Sequence, residues 1–110
     1  MRNSTDPRIP IVMGGEPGPE DAVLVEAGWP APAQSEVFTL ATHAAGCLCC
    51  AGRSGAAEAL ARLFRARATG SAPFFSRVVV LASPAGQAAV ARALGEDVLA
   101  QARYRYAEAQ

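Results

Sequence analysis

Apolar residues recur along this chain in two rhythms. RIPIVM at 8–13 is a short run with β-branched side chains, closed by Gly14 and Gly15, and it reads as a buried first strand. GGEPGPE at 14–20 is dense in turn formers. Residues 22–26 fit either a second short strand or a turn of helix. GWPAPAQS at 28–35 reads as loop, because Pro30 and Pro32 exclude regular helix. EVFTLAT at 36–42 alternates Val37, Thr39 and Ala41 with Phe38, Leu40 and Thr42, the period-two pattern of a strand.

The rhythm then changes. Over 54–68, Ala56, Leu60, Leu63, Phe64 and Ala68 fall on one side of a helix and Glu58, Arg62 and Arg65 on another, with Glu58 and Arg62 spaced for an i, i+4 ion pair. Ser54 is its expected N-cap and Gly70 its stop. RVVVLA at 77–82 is a continuous run, the mark of a strand covered on both faces. Ser83 and Pro84 then open a second helix, running to about Leu94 and broken by Gly95. Residues 96–102 add a helical turn or two, and Tyr104, Arg105 and Tyr106 begin a last short strand. Strand–helix alternation around a buried valine run predicts an α/β fold: a small parallel sheet in two or three layers with flanking helices. Residues 1–7 read as a loose tail and 8–110 as a single domain.

Composition sharpens this picture. The chain of 110 residues is 51% hydrophobic, enough for a core, but alanine supplies much of it and four Phe, two Tyr and one Trp supply the bulk. A thin core is expected, completed by a protein partner or a second copy. Trp29 reads as a residue that packs its loop onto the core, with a partner interface as the alternative, and Arg62, Arg65 and Arg67 read as a solvated helix face. Ten arginines balance ten acidic residues, so no global field holds nucleic acid or an anionic membrane. No apolar run is long enough to span a bilayer, and the polar start, with Arg2, Asp6 and Arg8, has no signal-peptide core; a cytoplasmic protein is expected.

The chemistry is concentrated in HAAGCLCCAGRSG at 43–55, which holds all three cysteines and the single histidine. An odd number of cysteines set so close makes no disulfide framework and suits a reducing compartment. Cys47, Cys49 and Cys50 offer three thiolates from one short loop, with Gly46 and Gly52 to let it fold round an ion. Zinc and cobalt accept this set in a tetrahedron, and copper(I) accepts three sulfurs. Three ligands leave one position open, which suits transfer of metal between proteins. His43 is the candidate fourth ligand, and Arg53 would favour the thiolate form. Redox chemistry is the weaker alternative, because C-x-C-C is not C-x-x-C, and a disulfide between adjacent Cys49 and Cys50 would strain the peptide.

The order Gly46-Cys47-Leu48-Cys49-Cys50, then a helix, then Phe75-Ser76-Arg77-Val78-Val79-Val80 resembles the CobW family of P-loop GTPase metallochaperones, relatives of UreG and HypB, over roughly residues 36–106. The resemblance implies a P-loop-derived α/β fold and metal binding at Gly-Cys-x-Cys-Cys, here Cys47, Cys49 and Cys50. His43 has no counterpart in that motif. The family opens on a strand running into G-x-x-x-x-G-K-[ST], where lysine neutralises the phosphates. Here RIPIVM runs into GGEPGPE, the whole chain lacks lysine, and Pro17 and Pro19 remove backbone donors. The acidic residue of the family's Glu-Thr-x-Gly pattern is replaced by Leu81.

The expected function is therefore a shortened, degenerate CobW-type accessory protein. It binds zinc or cobalt at Cys47, Cys49 and Cys50, has no nucleotide cofactor, and is not an enzyme. Two other functions compete with it. One is a GTP-binding protein completed by a partner chain, for which calorimetry with GTP and magnesium discriminates. The other is an interaction module with idle cysteines, whose melting temperature zinc would leave unchanged.

Overall fold

The computed structural model describes residues 7–32, 35–40, 54–72 and 74–107. Eight elements follow along the chain: β1 (Ile9–Met13), β2 (Asp21–Glu26), β3 (Ser35–Phe38), α1 (Gly55–Thr69), β4 (Arg77–Leu81), α2 (Pro84–Glu96), α3 (Val98–Arg103) and β5 (Tyr104–Ala107). The strands form one sheet in the order β3-β2-β4-β1-β5, and every neighbouring pair is parallel. The α/β class with a small parallel sheet is thus the fold of this chain, and the segment at 22–26 is a strand.

The pleat sorts the strand residues into two faces. Ile9, Ile11, Ala22, Leu24, Phe38, Val78, Val80 and Tyr104 share one core with Leu60 and Leu63 of α1, Val90 and Ala93 of α2, and Ala100 of α3. The three described helices therefore cover the same face, and the described residues form two layers. The other face carries Val12, Val23, Val25 and Val79, each no more than 5% exposed, and none of them belongs to that core.

Connection handedness explains the one-sided helices. In a parallel sheet crossovers are right-handed, so chain moves in opposite directions across the sheet lie over opposite faces. From β1 to β2 to β3 the chain moves one way, through residues 14–20 and 27–34; among the described residues neither connection contains a helix. It then reverses, and the returns to β4 and β5 carry α1 and the α2–α3 pair. The loop connections meet the second face: Glu16, Pro17, Gly18, Pro19 and Pro32 line an open depression of about 460 Å³ together with Asp21 and Val23 of β2. Asp21 also ties this side together. Arg77 on β4 donates to both its carboxylate oxygens, at 3.1 and 2.5 Å, and the Gly18 amide donates at 2.7 Å.

The helix ends follow the local chemistry. The Ser54 hydroxyl accepts from the Ala57 amide at 3.1 Å, and Gly70 closes α1 in the left-handed conformation at φ 81°. Ser83 caps α2 in the same way, with Pro84 in its first turn. Gly95 does not break α2; the helix runs on to Glu96, and Asp97 then both ends α2 and accepts from the Ala100 amide to start α3. A glycine lowers helix propensity without forbidding helix, and the cap at Asp97 decides the boundary.

Four further expectations are corrected. β3 ends at Phe38 rather than continuing through Thr39 and Leu40, because its partner β2 ends opposite it at Glu26 and the chain turns away at Gly28, φ 95°. Trp29 is 41% exposed rather than packed on the core, because its amide closes a tight turn onto the Glu26 carbonyl. Ala68 lies beyond the buried stripe of α1 and is exposed. Arg62 and Arg67 of α1 are engaged rather than merely solvated, whereas Arg65 is exposed as expected. Arg62 bonds Glu36 of β3 at 2.5 Å instead of pairing with Glu58, and Arg67 stacks 4.1 Å from the Phe74 ring centroid while donating to the Phe75 carbonyl at 2.8 Å. No helix among the described residues is long and apolar enough to cross a membrane.

Candidate functional site

Open parallel sheets bind ligands beyond the carboxyl ends of their strands, where neighbouring strands send their connections to opposite faces. Here β4 lies between β1 and β2 and sends its connection over the helical face, while both neighbours send theirs the other way. Around the carboxyl end of β4 stand Gly14 and Gly15 after β1, Glu26 at the end of β2, and Ser83 at the start of α2.

β1 exits through two successive glycines with φ of 81° and 99°, a conformation that side chains with a Cβ adopt at a steric cost. The Gly14 amide donates to the Val80 carbonyl at 2.8 Å, carrying the ladder one step past the strand end. Residues 14–20 then lead straight into β2 without a helix. The phosphate cradle of a P-loop needs a helix N-terminus directly after this strand, and this connection presents none.

α2 does present an N-terminus at this edge, and Glu26 occupies it. One Glu26 oxygen accepts from the Ser83 amide at 2.8 Å and from the Ser83 hydroxyl at 2.7 Å. The same hydroxyl accepts from the Gly86 amide at 3.1 Å. A carboxylate satisfies the partial positive charge of a helix start as a phosphate would. Room for it depends on Gly86, where a Cβ would fall 2.5 Å from the Glu26 oxygen and 2.7 Å from the Ala82 Cβ. The sequence pattern identifies Ser83 as a cap but gives no role to Glu26, because 57 residues separate the two. A lone glutamate closing an apolar strand is the only local signal.

Cys47, Cys49 and Cys50, together with His43 and Arg53, lie outside the described residues. The residues on either side of that stretch are described. Thr39 follows β3 and Gly55 opens α1, and a Cβ on Gly55 would fall 2.6 Å from the Thr39 carbonyl oxygen. The chain thus leaves the carboxyl edge of the sheet and returns to α1 within contact distance of its departure. Among the described residues no three His, Cys, Asp or Glu side chains are grouped to hold a metal ion. Leu81 ends β4 on the second face opposite Val25.

Tyr104 is the most buried titratable group with a resolved shift. Desolvation pushes its hydroxyl well above the ordinary value of 10.0, against the pull of the Arg103 and Arg67 charges. Its O–H donates to the Leu60 carbonyl at 2.7 Å, under α1 and at the amino end of β5, away from the carboxyl ends of the strands, so its role is to hold helix to sheet. Comparison with protein-family models, with curated proteins and with solved structures returned no match for this chain.

Proposed function

We propose that this protein is a metal-binding accessory protein of CobW type, which takes zinc or cobalt on the thiolates of Cys47, Cys49 and Cys50 and hydrolyses no GTP itself. The observation that carries the proposal is the gathering of every sulfhydryl in the chain into four residues flanked by glycines. Two features support it. The cysteine stretch is rooted at the carboxyl edge of a parallel sheet, the edge that such folds use for ligands. The strand that would feed a phosphate loop passes directly to β2, and no lysine exists to serve such a loop.

Three thiolates bind only after losing their protons, so loading with metal releases protons and weakens as pH falls below the thiol range. The charge of Arg53 favours the deprotonated set. The open fourth position allows a thiolate or imidazole of a second protein to enter and take the ion by ligand exchange. Cobalt(II) titration of the fully reduced protein tests the proposal. An intense thiolate-to-cobalt charge-transfer band saturating at about one ion per chain is expected, with Cys49→Ser weakening affinity on the order of tenfold or more. Absence of the band in fully reduced protein would overturn the proposal.

A further inference from the structure

We draw no further inference here: the strongest candidate, the exposed apolar patch of Val98, Leu99 and Tyr106 beside the β5 edge of the sheet, carries nothing because nothing in the structure shows what covers it.

Discussion

Two side chains carry most of the pH dependence that the described residues predict. Tyr104 is 1% exposed and donates a hydrogen bond from its hydroxyl to the Leu60 carbonyl. Burial raises its folded value above the 10.0 of the unfolded chain. Above about pH 10 the unfolded state has released a proton that the folded state keeps, so stability present below that pH declines as pH rises. Tyr104→Phe should lower stability by about 1 kcal/mol at neutral pH, since the O–H bond is lost, and should flatten the alkaline decline. Urea midpoints of both proteins between pH 9 and 11 check this; parallel declines would refute it. Asp21 runs the other way. The hydrogen bond from Arg77 holds its carboxyl below the ordinary 3.8, against the opposing effect of burial. Its contribution is present above that value and disappears as pH falls through the folded value. Asp21→Asn should therefore cost about 1 kcal/mol at neutral pH, a modest figure because solvent still reaches the pair. The difference from wild type should narrow progressively as pH falls below about 3.8 in acid melts.

At the scale of elements, three helical glycines separate propensity from packing. Gly95 sits inside α2 with open space where a Cβ would go. Gly95→Ala should stabilise the protein by about 0.5–1 kcal/mol through helix propensity and a less free unfolded chain. Gly86 lies in the first turn of the same helix, yet its Cβ would strike Glu26 and Ala82. Gly86→Ala should destabilise by about 1–3 kcal/mol despite the same gain in propensity. Gly55 behaves like Gly86, because the atom it would strike is a backbone oxygen that cannot rotate away. Thermal melts of the three alanine variants check the order, and a stabilised Gly86→Ala would show that Glu26 is not held at the start of α2. Helix positions were legible from capping serines and the spacing of Leu60 and Leu63. These close approaches were not, because each depends on an element remote in sequence.

For the whole molecule, no helix among the described residues covers the second face, yet that face is not wet. Val25 and Val79 are as buried there as Leu24 and Val80 are beneath α1 and its neighbours. Val79→Ala should consequently cost about 2 kcal/mol, the loss of two buried methyl groups plus a cavity, close to the cost of Val80→Ala. Denaturant unfolding of the two variants checks this; a negligible effect at Val79 would mean that its burial contributes little. The short connections also account for the thin core. With Ala56, Ala57, Ala59, Ala93 and Ala100 buried, the helices add little bulk of their own, and Phe38 and Tyr104 are the largest fully enclosed side chains.

Local signals were sufficient to determine the parallel α/β class, four of the five described strands, the caps at Ser54 and Ser83, the stop at Gly70 and the grouping of Cys47, Cys49 and Cys50, while residues 22–26 fitted strand and helical turn alike. Each follows from residues within a few positions of one another, where periodicity, branching at Cβ and capping act directly. Only the tertiary structure decided the strand order, the placement of all helices on one face, the turn of Arg62 towards Glu36 and the seating of Glu26 at the start of α2. These outcomes bring together residues tens of positions apart. They are settled by crossover handedness and by which side chains fit against which neighbours, quantities that no short window of sequence contains.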